Sequence, residues 1–285
     1  MSTETLKKAA IVCFIIALGG LLLGGLFANR EAPPYPDQVL APDQTVLFTK
    51  ADILAGQDVY QRYGLMDHGS VWGHGSQRGM EFSAVTLHRV GEKVREQLSI
   101  SAYGRSYSEL TEEAKDLIDI RTRRSIKANG YNPAEDTLQL DAPKVAALED
   151  TVSFWEKTFR DGDSKYGFLP GQIPTQEERK QLGRFFFWTA WVASAARPGA
   201  DYSYTNNWPH DAEAGNVATT QTYIWTIGGI ISLFVTLGLF VFWVHRDRLW
   251  YGAPKGVPLA EKLVDMPLTA SQLKAAVTKM LGGKG

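Results

Sequence analysis

Ala9-Ala-Ile-Val-Cys-Phe-Ile-Ile-Ala-Leu-Gly-Gly-Leu-Leu-Leu-Gly-Gly-Leu-Phe-Ala28 is a run of 20 residues without a charge. A second such run, from Thr222 to Val244, covers 23 residues. A helix rises about 1.5 Å per residue and a bilayer's hydrocarbon core is about 30 Å thick, so each run is long enough to span it. The pair decides the architecture: a mainly α chain in which two transmembrane helices flank a polar domain. Glycines 19, 20, 24 and 25 would weaken a soluble helix, but membrane helices tolerate them. Gly20-Leu-Leu-Leu-Gly24 is a small-x-x-x-small pattern that lets another helix approach closely. Lys7 and Lys8 resemble the charged start of a signal peptide, yet the apolar run is long for one and Leu26-Phe-Ala28 is a poor cleavage match. An uncleaved anchor is expected.

The flanking charges set an expected orientation. Lys7 and Lys8 precede the first span, and His245, Arg246 and Arg248 follow the second, with Lys255 and Lys262 close behind. The positive-inside rule puts both ends in the cytoplasm. The expected organisation is a cytoplasmic start (1–8), a span (9–28), an outer domain (29–221), a span (222–244) and a cytoplasmic tail (245–285). In a Gram-negative cell the protein would sit in the inner membrane with its main domain in the periplasm. Thr269-Ala-Ser-Gln272 reads as a capping box opening a short basic helix in the tail.

The 285 residues carry a net charge of −1, too little for a nucleic-acid surface. The single cysteine, Cys13, lies inside the first span, so neither an intrachain disulfide nor a cysteine metal cluster can form.

Within the outer domain, the proline-rich residues 30–48 read as an extended connector. Residues 52–62, 81–97 and 143–158 carry helical spacing. Residues 108–129 read as a charged helix pair opened near Thr111. No sustained alternation marks a sheet. Phe185-Phe-Phe-Trp-Thr-Ala-Trp191 is too short for a third span, because Arg184 and Arg197 bracket it, and reads as a buried or interfacial helix. Asp201-Tyr-Ser-Tyr-Thr-Asn-Asn-Trp-Pro209 is a second aromatic run. Core packing and docking to a membrane partner are the alternatives for both.

The richest stretch chemically is Tyr63-Gly-Leu-Met-Asp-His-Gly-Ser-Val-Trp-Gly-His-Gly75. Its glycines require sharp turns. It holds no Cys-x-x-Cys-His, the attachment signature of c-type haem, and neither does the rest of the chain. Asp67, His68, His74 and Glu81 lie close in sequence, but their irregular spacing favours turn-forming and hydrogen-bonding roles over a metal site. His74 or Met80 as an axial ligand of non-covalent haem has no support in spacing. No nucleophile elbow, phosphate loop or dinucleotide fingerprint is present. No catalytic and no cofactor-binding residue is expected on this chain.

Several stretches resemble the amino-terminal part of quinol-dependent nitric oxide reductases. They are residues 64–75, Arg78-Gly-Met-Glu-Phe82, Thr86-Leu-His88, Phe186-Phe-Trp-Thr-Ala-Trp191 and Arg197-Pro-Gly199. Tyr202-Ser-Tyr-Thr-Asn-Asn-Trp-Pro209, Gly215-Asn216 and Pro267-Leu-Thr-Ala-Ser-Gln272 continue the likeness in order. The resemblance implies an extracytoplasmic, cytochrome-c-like domain that lacks haem c, with the aromatics at 185–191 and Trp72 filling the vacated volume. It implies a polytopic catalytic partner that carries haem b, haem b3 and a non-haem iron, takes electrons from quinol, and reduces two NO to N2O and water. Fused relatives continue into that catalytic part after the Pro-Leu-Thr motif. The expectation is therefore a separate small subunit held in membrane lipid, with a fragment of a longer polypeptide as the alternative. The family also implies a calcium ion at the interface with the partner, with Gly75 and Gln77 at the ligand positions, Gln77 standing where relatives have tyrosine. An equivalent subunit of a nitric oxide dismutase, a membrane-anchored sensor and an assembly factor are the rival expectations.

Overall fold

The computed structural model describes residues 3–247. The tail and its capping box lie outside the described residues. The two apolar runs are each one unbroken helix, α1 (Thr3–Arg30) and α7 (Thr220–Asp247). Their most apolar stretches, Lys7–Arg30 and Thr220–Phe242, have mean hydropathy 2.6 and 2.2, and none of either is buried. Exposed apolar surface costs about 25 cal/mol per Å² in water, so helices bare on every side belong in lipid or against other helices. The chain is read accordingly as membrane-anchored.

Between them lies a helical domain, whose helices begin where the sequence supplies caps. Thr49 and Asp52 form a reciprocal capping box at α2 (Lys50–Arg62). Glu81 caps α3 (Phe82–Tyr103), Thr111 caps α4 (Glu112–Lys127), Asp141 caps α5 (Ala142–Asp161) and Thr175 caps α6 (Gln176–Ser194). The charged stretch expected as a helix pair is one helix, α4, preceded by a single 3-10 turn at Tyr107–Glu109.

α6 is the axis of the domain, and α2, α3 and α5 pack around it. All of Phe185–Trp191 is buried, which settles that run as core. A helix apolar on every face has nowhere else to go. On α2, a Cβ at Gly56 would collide with the Gln181 carbonyl and with Phe185 Cβ, so this glycine lets the α2 and α6 backbones touch. The Arg184 guanidinium, at the margin of the buried run, reaches Asp52 at 2.7 Å.

The core is built from stacked rings. Phe82 and Phe186 lie 4.8 Å apart and 5° from parallel. Trp155 sits 4.8 Å from Phe186, and the Tyr60 and Phe82 rings meet edge to face at 5.8 Å. Such pairs contribute about 0.5–1.5 kcal/mol each beyond the area they bury. The Trp155 indole N–H, buried among them, donates to Thr86 Oγ1 at 3.1 Å.

The structure also holds a sheet that the sequence pattern does not announce. Its order is β2-β1-β6-β5, from β1 (Gln38–Leu40), β2 (Val46–Thr49), β5 (Tyr131–Asn132) and β6 (Thr137–Gln139). β1 runs antiparallel to β2 and parallel to β6, and β5 is antiparallel to β6. The proline-rich segment read as a connector thus supplies two strands. Strands of two to four residues are too short to show alternation. A separate pair, β3 (Ser70–Val71) and β4 (His74–Gly75), lies in the glycine-rich stretch.

Candidate functional site

The glycine-rich stretch is a compact loop folded against α3 and α6. Gly64, at φ 62°, starts a 3-10 turn over Leu65–Asp67. A short hairpin follows, β3 paired antiparallel with β4. Its two-residue turn is Trp72-Gly73, with φ 53° and 79°. Positive φ at both central residues suits the twist of a tight hairpin, but tryptophan adopts it only under compulsion. Here the compulsion is visible. The Trp72 indole N–H donates to the Thr189 carbonyl at 2.9 Å, its ring packs 5.6 Å from Trp188, and its backbone N–H donates to Ser83 Oγ at 3.1 Å.

Glu81 closes the loop from the other side. Its carboxylate accepts from the Ser83 hydroxyl at 2.7 Å and from the Ala84 backbone N–H. It also faces the backbone N–H groups of Trp72 and Gly73. One side chain therefore caps α3 and holds the hairpin turn. Burial pushes its carboxyl above the usual range, against the pull of these donors.

A second loop, residues 196–217, is organised around Lys127, the last residue of α4. Its Nζ donates to Asn207 Oδ1 and to Asn216 Oδ1, both at 2.7 Å. Both asparagines are buried. The Asn207 side-chain amide reaches the Val217 carbonyl at 2.8 Å, and the Asn216 amide reaches the Pro209 carbonyl at 2.5 Å. Burial pushes the Lys127 amine down to about 8, partly offset by Asp201. The Asn-Asn-Trp-Pro and Gly-Asn motifs are thus the walls of a cage for one ammonium. Nothing in the sequence singles out Lys127, because a lysine in a last helical turn reads as an ordinary partner of the helix dipole.

The two loops meet. A Cβ on Gly73 would lie 3.2 Å from Trp208 Nε1. Trp208 is 47% exposed beside the hairpin, and His74, Gly75, Gln77 and Arg78 are exposed along its return. The face is small, neutral to basic, and centred on a tryptophan.

The other sequence candidates disperse. His68 is half-buried, 5.6 Å from the Phe168 ring, with Gln172 Nε2 3.3 Å from its Nε2. His74 is exposed, Met80 is buried and Glu81 is committed to its cap. Among the described residues no three His, Cys, Asp or Glu side chains gather into a metal-binding group. His88 Nδ1 lies 3.0 Å from Asp211 Oδ2, tying α3 to the second loop. Gly75 has φ 133°, and a Cβ there would collide with the Gly69 carbonyl, so only glycine fits. Gly75 and Gln77 are both exposed, and a backbone carbonyl and a side-chain amide oxygen are ligand types that calcium takes. Calcium takes six to eight oxygens, so any ion there would draw most of its ligands from elsewhere.

In comparison with protein families, the chain matches the model of the cytochrome c-like domain of NorB, a subunit of nitric oxide reductase, over residues 36–210. No curated protein matches the chain.

Proposed function

The chain belongs to the family of the NorB cytochrome c-like domain of nitric oxide reductase, and on that ground we propose that it is the non-catalytic, membrane-anchored small subunit of a quinol-dependent nitric oxide reductase. Membership makes it a nitric oxide reductase-related protein and implies a catalytic NorB partner. In the proposed complex that partner carries haem b, haem b3 and the non-haem iron, and it reduces two NO to N2O and water with electrons from quinol. This chain caps the partner on the periplasmic side of the inner membrane.

One observation carries the non-catalytic part of the reading. The domain related to cytochrome c has no cysteine to hold a haem covalently, and its interior is occupied by stacked rings, Phe82 on Phe186 with Trp155 and Phe168 beside them. The missing attachment cysteines and the ring-filled interior support a cytochrome c-like domain that does not itself carry electrons in this proposal. Its remaining work is to cover and brace its partner. The exposed face around Trp208 and the hairpin return suits that work, since exposed tryptophans are frequent anchors of interfaces. On this reading the Gly75 carbonyl and the Gln77 amide oxygen are the chain's contribution to a calcium ion shared with the partner.

The test is purification of the full chain from its native membranes in mild detergent, with a haem spectrum and a gel of the product. Haem b with a stoichiometric polytopic partner is the expected result, and NO consumption by that complex completes it. A colourless chain recovered alone, under detergent conditions shown to keep membrane complexes together, would overturn the reading.

A further inference from the structure

Where α1 leaves the apolar stretch, a cavity of about 390 Å³ opens between the helix end and the second loop. Its lining includes Arg30, Glu31, Tyr131, Arg197, Tyr202 and Tyr204. The apolar stretch Lys7–Arg30 has 24 residues. At about 1.5 Å per residue it slightly exceeds a hydrocarbon core of about 30 Å. Arg30, its last residue, therefore stands at the level of the lipid headgroups, and so does the cavity it lines.

The groups around the cavity are not equally available. The Arg197 guanidinium is paired with Glu31 and donates to the Tyr204 carbonyl at 2.9 Å. The Tyr131 hydroxyl is used on Asp136 at 2.7 Å. Tyr204 Oη accepts from the Asn129 amide at 3.0 Å, leaving its own proton free to donate. Arg30 makes no ion pair among the described residues, and it is exposed. The Glu31 charge is balanced by Arg197, so Arg30 leaves the lining net positive, with the Tyr202 and Tyr204 hydroxyls as further donors.

We propose that this cavity binds the phosphate of an anionic membrane phospholipid, with Arg30 as the ionic contact and the Tyr202 and Tyr204 hydroxyls as hydrogen-bond donors. Guanidinium with neutral donors is a natural setting for a phosphodiester. The volume falls at the lower end of the range for small-ligand pockets, which suits a headgroup rather than a whole lipid. Tyrosine belts at this depth are also usual in membrane proteins. The bound lipid would fix the tilt of the domain on the membrane through the junction of α1 with β1. This inference requires only that α1 spans the bilayer, and it stands apart from the identity of the catalytic partner.

The test is native mass spectrometry of the full chain in detergent with added phosphatidylglycerol. One phosphatidylglycerol per chain should survive activation that strips the rest, and diacylglycerol, which lacks the phosphate, should not be retained. Arg30→Gln and Tyr202→Phe should each lower retention about tenfold, the effect of losing one charge-assisted or well-formed hydrogen bond. Lys7→Gln with Lys8→Gln, at the other end of the same helix, should leave retention unchanged. An equal drop in that control would show diffuse lipid attraction and overturn the site. Displacement of the lipid by inorganic phosphate at millimolar concentration would reassign the cavity to a free anion and overturn the lipid assignment. Retention that ignores both Arg30→Gln and Tyr202→Phe would overturn it outright.

Discussion

The Trp72 indole N–H donates to the Thr189 carbonyl at 2.9 Å. This bond fastens the tip of the glycine-rich hairpin to the C-terminal part of the buried helix α6. It also accounts for a bulky residue at φ 53°. Trp72→Phe should keep the ring contact with Trp188 and lose the hydrogen bond, at about 1 kcal/mol. Trp72 is half-buried, so Trp72→Ala should cost about 2–3 kcal/mol, below the value for a fully buried ring. Chemical denaturation gives both values, and hydrogen exchange at residues 70–75 should rise more than elsewhere.

Phe186 is fully buried and touches Phe82, Trp155, Tyr60 and Phe185. Phe186→Ala should destabilise the domain by about 3–5 kcal/mol, as expected for a large cavity in a close-packed core. Thermal unfolding followed by near-ultraviolet circular dichroism reads the loss. A change under about 1 kcal/mol would mean that the rings do not carry the core.

Glu81 separates its charge from its capping role. Its folded-state carboxyl lies above the ordinary value of 4.5 because of burial. A raised acid contributes stability that is present below 4.5 and is lost as pH rises through the folded value. Glu81→Gln keeps an acceptor for the Ala84 N–H and removes the charge. The wild type should therefore lose ground to Glu81→Gln as pH climbs above 4.5. Glu81→Ala should be worse than either near neutrality, by about 1–2 kcal/mol for the lost cap. Urea midpoints taken from mildly acidic to neutral pH measure all three.

Lys127 has the opposite sign. Its amine is lowered to about 8 in the folded state from 10.5. Below pH 8 it is charged in both states, and its burial counts against folding. Between 8 and 10.5 the unfolded chain holds a proton that the folded chain has released, so stability should rise with pH there. Lys127→Met should flatten that rise. Near neutrality it should also destabilise the loop by about 1–3 kcal/mol, because buried amide oxygens lose their donor. Stability measured from neutral pH to about 9.5, below the ordinary titration of tyrosine, tests both parts.

Trp208 addresses the proposed interface. It is 47% exposed, so Trp208→Ala should alter the stability of the isolated chain by less than about 1 kcal/mol. It should nevertheless lower recovery of the catalytic partner on purification about tenfold or more, the behaviour of an interface anchor. Equal recovery with wild type would move the interface elsewhere.

The sequence was most legible where one physical rule acts alone. The two apolar runs are helices because a lone segment in lipid has to satisfy its backbone within itself. Thr111 starts α4 as its chemistry suggests, and the aromatic run at 185–191 is buried because Arg184 and Arg197 leave it too short to cross a membrane. Legibility failed where distant residues act together. β1 and β6 are about a hundred residues apart and three residues long, so neither shows a pattern until the other pairs with it. The same holds for the site. The hairpin glycines were readable as turns, but the meeting of Gly73 with Trp208 and the cage of Asn207 and Asn216 around Lys127 depend on contacts across the chain.

That cage also limits where the protein can be cut. The family match stops at residue 210, and a soluble fragment trimmed to it would discard Asn216, Val217 and the buried Ala214 while keeping Lys127. At the other end, the Pro34 carbonyl accepts the Trp188 indole N–H at 3.1 Å, and Tyr35 packs 4.3 Å from the same ring. Arg197, which the match keeps, is paired with Glu31. The smallest piece that carries its own caps and counter-groups therefore runs from about Glu31 to Val217. Its limits are drawn by one amine and one guanidinium, beyond the borders of the recognisable sequence.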